Sequence, residues 1–144
     1  MKMKNEYRQR LAKEYRYAVT KMQETQPLPN KLFYFSVFFG DAQRVLNWEW
    51  DRDLALIHLV TQHVHTQFNG ALQQPPQAQV APVDWVTATD RLTQAASDLA
   101  TYFEKAESEN NKEVLYQILG WLAEIAYAVS GNGSYLFERG SIKL

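Results

Sequence analysis

Three imidazoles, His58, His63 and His65, fall within residues 58–65. With Asp51, Asp53 and Glu49 close by in the chain, they define a candidate metal centre, since imidazole nitrogen and carboxylate oxygen together suit transition metals. Spacing limits this reading. Ligands on one helix face recur three or four residues apart, and no Asp, Glu or His stands three or four positions before any of these histidines. His58 and His65 share a face but lie about 10 Å apart along a helix axis, and His63 points elsewhere. The Glu-x-x-His pair of carboxylate-bridged metal bundles is missing. A metal held by His58, His65 and Asp51 would need ligands from other helices. The same histidines serve equally as surface or boundary residues with local hydrogen bonds, and the sequence implies no cofactor.

A second constellation runs through Arg52-Asp53-Leu54-Ala55-Leu56-Ile57-His58. An arginine and a polar residue, followed a turn or two later by a histidine, resembles the RNA-cleaving motif of HEPN-domain proteins. Those are small all-helical domains that pair two such motifs in a dimer cleft. The resemblance implies that Arg52 binds the scissile phosphate and that His58 acts as general acid or base. Guanidinium matches phosphate geometry, and imidazole titrates near neutral pH. The likeness covers seven residues. It departs from the family in lying mid-chain and in carrying Leu59 and Val60 after the histidine.

The third lead is aromatic. Phe33, Tyr34, Phe35, Phe38, Phe39, Trp48 and Trp50 crowd into the segment 33–50. Aromatics around nearly the whole circumference of one helix cannot all face one small core. The segment is therefore central in a bundle or part of a subunit interface. Phe35, Phe38, Phe39, Trp48 and Trp50 are the candidate ligand or interface residues, and a homodimer is the expected assembly.

Charge adds a fourth surface. Residues 1–21 hold Lys2, Lys4, Arg8, Arg10, Lys13, Arg16 and Lys21 against Glu6 and Glu14, a balance of +5, while the whole chain is −1. A basic helix over 2–21 would serve an acidic partner or RNA, or would be drawn to the acidic remainder of its own fold. Cysteine is absent, which excludes disulfides, thiolate metal sites and thiol nucleophiles. No P-loop, GxGxxG, GxSxG or HExxH occurs. No apolar stretch is long enough for a membrane span, nor does the N-terminal segment carry the apolar core of a signal peptide. A cytoplasmic protein without a membrane partner is the expectation.

The elements that must position these residues read as helices. Tyr7, Leu11, Tyr15, Ala18, Val19 and Met22 recur at three- and four-residue steps and predict a helix over 4–24. Pro27 and Pro29 end it. A second helix over 31–46 follows, with Asn30 as its N-cap. A third runs from a cap at Asn47 or Asp51 to about Leu72, with Asn69-Gly70 marking its end. The stretch 31–72 is one kinked helix or two. The Pro/Gln-rich segment 73–82 reads as an extended crossover. Asp84 caps a fourth helix reaching about Ala106, and a fifth over 111–130 stops at Gly131-Asn132-Gly133, with Glu124 on its outer face. A short tail, 134–144, packs through Tyr135, Leu136 and Phe137.

The expected fold is all-α, an antiparallel bundle of four main helices with a fifth if the aromatic-rich second helix is broken. One domain spans 1–144. Catalytic signals are few, so the expected function is that of a non-catalytic interaction or scaffold module acting as a homo-oligomer. The HEPN-like ribonuclease and the metal or small-ligand binder built on His58, His63 and His65 stand as its alternatives.

Overall fold

The computed structural model describes residues 5–24, 26–74, 83–109 and 112–131. Five α-helices account for nearly all of them: α1 (Asn5–Gln23), α2 (Leu28–Leu46), α3 (Arg52–Gln73), α4 (Trp85–Glu104) and α5 (Lys112–Gly131), with a single 3-10 turn at Glu107–Glu109. No strand occurs among the described residues. The crossover residues 75–82, the tail 134–144, the Asn132-Gly133 pair and the basic residues Lys2 and Lys4 lie outside them.

The breaks follow from local chemistry. Pro27 and Pro29 open α2 rather than merely closing α1. Pro27 is the N-cap and Pro29 sits in the first turn, where a missing N–H costs nothing because the first helical donors have no intrahelical partner. The expected cap, Asn30, is therefore already inside the helix, and its N–H bonds to the Pro27 carbonyl at 3.0 Å. The stretch 31–72 proves to be two helices. Asn47 ends α2, and Asp51, in an extended conformation, starts α3 by accepting the Leu54 N–H on Oδ1 at 2.8 Å. Asp84 does the same for α4 through Thr87 N–H at 3.0 Å, a bond that holds its carboxyl below the usual range. Replacing Asp51 with Ala is expected to cost about 1 kcal/mol, seen as a lower urea midpoint with an unchanged slope.

Asn69-Gly70 does not end α3. The buried stripe Leu54, Ile57, Thr61, Val64 and Phe68 continues into Ala71, and burying that extra turn holds Gly70 in the helix. At the other end of the chain Gly131 is likewise helical. Glu124, expected on the surface, is half-buried.

The helices pack as a closed ring in the order α1, α2, α3, α5, α4 and back to α1. The hairpins α1–α2 and α2–α3 are antiparallel. So is α1–α4: Arg8 meets Tyr102 and Lys105, while Arg16 meets Ser97 and Thr101. The α3–α5 pair is parallel, as one neighbouring pair must be in a closed ring of five alternating helices. The first turns of both helices meet where Asp53 accepts the Tyr116 hydroxyl (2.9 Å) and pairs with Lys112 (3.4 Å).

All five helices contribute to one apolar core. At its centre Tyr15 stacks on Phe38 at 4.3 Å, Phe38 on Phe35 at 5.3 Å, and Phe103 meets Tyr15 edge-on at 5.4 Å. Each fully buried aromatic or large aliphatic side chain contributes about 2–3 kcal/mol. The aromatic run of α2 thus splits by face. Phe35 and Phe38 are completely buried and belong to the core, which corrects their expected place at a ligand or partner surface.

Candidate groove and carboxyl pair on the α1–α2 face

Exposed aromatics cluster in two places on the described surface, apart from Tyr116 and Tyr127 on α5. Trp48 and Trp50, at the α2–α3 turn, are 81% and 60% exposed. Phe33 on α2 is 69% exposed and Tyr17 on α1 is 55%. The latter two border a groove of about 510 Å³ whose walls include Val37, Phe39, Gly40 and Arg44. Phe39, half-buried, forms the far side of α2 and meets the His65 ring edge-on at 5.1 Å.

Two acids lie in the floor. Glu14 of α1 and Asp41 of α2 line both this groove and a smaller pocket of about 160 Å³ bounded by Tyr7, Arg10 and Trp48. Asp41 is 5% exposed. Glu14 Oε2 and Asp41 Oδ2 are shielded from solvent and meet no donor, and the two carboxyls adjoin each other. Two carboxylates have only acceptors to offer, so the two acids are at ease side by side only when one of them is protonated. Burial, then the adjoining Glu14 and its charge, push the Asp41 carboxyl up to about 7 against the opposing pull of Arg44 and Arg10. Arg44 reaches Asp41 Oδ1 at 2.8 Å, and Arg10 lies 3.6 Å from Glu14. Tyr15 completes the cluster. Its hydroxyl donates to the Phe38 carbonyl at 2.9 Å, and burial, with the negative charges of Asp41 and Glu14, raises it well above the usual phenol value. The pair is thus able to bind or release a proton close to neutrality, between two guanidiniums and beneath an aromatic wall.

The residues singled out from sequence are dispersed. Arg52 is exposed at the start of α3. His58, six residues on, lies about 240° around the helix and about 9 Å along it. The His58 ring nitrogen Nδ1 is 3.1 Å from the Phe39 carbonyl. His65 is 3.1 Å from the Asn69 side-chain nitrogen, and burial lowers its proton affinity against a bond to the Leu32 backbone. His63 is exposed. Asp51 is engaged as a helix cap. Among the described residues no three His, Asp or Glu side chains gather as a metal centre.

The basic side chains of α1 divide: Arg8 is buried, Arg16 and Lys21 are half-buried, and Arg10 and Lys13 are exposed. Arg8 is buried and donates to the last carbonyls of α4 at Tyr102 (2.9 Å) and Lys105 (3.2 Å). Arg16 grips Glu104 through two bonds, of 3.1 and 2.6 Å, and also meets Thr101. Arg10 pairs with Glu14 on its own helix, and Lys21 with Glu24 just past the end of α1.

Sequence reasoning missed Glu14, Asp41, Arg44, Tyr17, Val37 and Gly40 as members of one site. A signal was present. Asp41 interrupts the apolar stripe Phe38–Ala42–Val45, and Glu14 adjoins the stripe Leu11–Tyr15–Ala18. Each is unremarkable alone, and only pairing α1 with α2 brings the two acids together.

These features define an all-α protein with a carboxyl-floored aromatic groove on one helical hairpin. No described helix is long and apolar enough to cross a membrane. The chain matches no family model, no curated protein and no solved structure.

Proposed function

We propose that this protein is a non-catalytic interaction module that associates with a second copy of itself through the outward face of α2. One observation carries the reading: α2 is apolar on both sides. Its inner face supplies Leu32, Phe35, Phe38, Ala42 and Val45 to the core, while its outer face exposes Phe33 beside Tyr17 along an open groove. Exposed aromatics clustered with an arginine have the composition of an interface centre. The groove walls are mainly hydrocarbon and guanidinium, and of the two hydroxyls there, on Tyr17 and Ser36, the latter donates to the Phe33 carbonyl of its own helix. Location in the cytoplasm belongs to this proposal, supported by a chain without cysteine.

Sedimentation velocity over a range of concentrations tests it. A species of twice the 16.7 kDa chain mass is expected, unchanged by chelator and by His58→Ala. A single-chain mass at every concentration would refute self-association. A parallel incubation with single-stranded RNA in chelator is expected to leave the RNA intact. Cleavage lost in both Arg52→Ala and His58→Ala would put the HEPN-like reading in its place.

A further inference from the structure

The outermost ridge of α2 is a palindrome of spacing. On a helix of about 100° per residue, Phe33, Val37, Gly40 and Arg44 lie within about 60° of one another, directly opposite the core residues Phe35 and Ala42. Their separations are four, three and four residues. Read backwards, the ridge has the same spacing, so an antiparallel copy places position 33 on 44 and 37 on 40.

We infer that two copies pair through an antiparallel α2–α2 contact, about a two-fold axis between positions 37 and 40, with Phe33 stacked on the partner's Arg44 and Val37 seated over the partner's Gly40. This rests on the self-association proposed above and names its geometry.

Three observations support it. First, Arg44 is fastened along one edge by Asp41 at 2.8 Å while its side chain remains 68% exposed. Its flat guanidinium is thus held in place with a face free for an aromatic ring. Phe33, equally exposed, is such a ring. Second, Gly40 is a hole. A Cβ built on it meets nothing within 4 Å, so the absent side chain is not needed for packing inside the chain. Glycine there lets a second helix approach closely and leaves room for a branched side chain. Third, charge selects direction. A parallel arrangement would set Arg44 against its own copy and Phe33 against Phe33, whereas the antiparallel one matches each cation with a ring. The groove of about 510 Å³, walled by Tyr17 on one side and Phe39 on the other, receives the opposing ridge.

Single-cysteine variants test the register cleanly, because the chain has no cysteine of its own. Positions 33 and 44 are about 16 Å apart along the helix, beyond the roughly 7 Å Cα separation that a disulfide spans. Phe33→Cys alone and Arg44→Cys alone are therefore expected to stay unlinked under oxidation, and a mixture of the two to give a cross-linked pair. Gly40→Leu is expected to keep its helical content, since the space above it is open, and to sediment as a single chain. Self-linking of Phe33→Cys, a dimer that fails to link in the mixture, or a Gly40→Leu protein that still dimerises would each overturn this register while leaving self-association standing. A wild-type protein that is monomeric throughout would remove both.

Discussion

Stability is expected to decline as the pH rises from about 4 to about 7 and then to level off, and Asp41→Asn is expected to abolish that part of the decline. The Asp41 carboxyl moves from 3.8 when free to about 7 in the fold. Between these values the native state holds a proton that the unfolded chain has released, so raising the pH favours unfolding. Below the lower value the stabilisation is complete, and above the upper one it is gone. At about 1.4 kcal/mol per pH unit, the loss amounts to about 2–4 kcal/mol. Other carboxylates act in the opposite sense. Asp84, held low by its capping bonds, contributes stability above its unfolded value that is lost as pH falls. The difference between wild type and Asp41→Asn isolates the pair. Urea unfolding of both proteins from pH 4 to pH 8 measures it, and a gap independent of pH would disprove the retained proton. The asparagine can still donate to Glu14 without carrying a charge, so it copies the protonated acid at every pH. Carbon NMR of the carboxyls should show a step near neutrality that belongs to the pair rather than to either residue.

Arg8→Ala is expected to destabilise the protein by about 3 kcal/mol. The guanidinium donates to two carbonyls at the C-terminus of α4 and lies 5.1 Å from the ring centres of both Tyr102 and Phe103. It satisfies acceptors that a helix end leaves without intrahelical donors and places a cation at the negative end of the helix dipole. The alanine variant loses all of this and leaves a gap against two aromatic rings. Arg8→Lys keeps the charge but not the planar fork and should recover less than half the loss. The urea midpoints of the three proteins, compared at a common slope, decide the matter. An alanine variant no less stable than an ordinary surface substitution, which shifts stability by about 0.5 kcal/mol or less, would show that the α1–α4 seam does not depend on this cap.

The helices were legible because their apolar positions recur with the helical period, and Asp51 and Asp84 because a side-chain acceptor at a first turn has a fixed local partner. Helix ends decided by packing were not. Nothing in Asn69-Gly70 says that Ala71 will be buried, and nothing in Pro27-Leu28-Pro29 distinguishes an end from a beginning until the chain resumes its period. The aromatic run of α2 is too apolar for one face, as the exposed Phe33 shows, but which rings turn inward depends on where α1 and α3 lie. Arg8 occupies the same stripe as Leu11 and Tyr15 and looks like a surface cation until α4 brings its terminal carbonyls to it. The Glu14–Asp41 pair is a relation between helices, so no window of sequence contains it.

The ring has a consequence for the order of assembly. Three of its contacts join helices that follow one another in the chain, and these form by closing short loops. The α1–α4 seam joins residues 94 and 97 positions apart at Arg8, and α3 can meet α5 only after α4 has turned back. The entropy of closing these longer loops is spent before their contacts return anything. The inner face of the first hairpin, with Tyr15 and Phe38 at its centre, therefore waits for α4 to cover it. Completing the circle, where the first helix meets the fourth, therefore closes a long loop of chain and is expected to come late in folding.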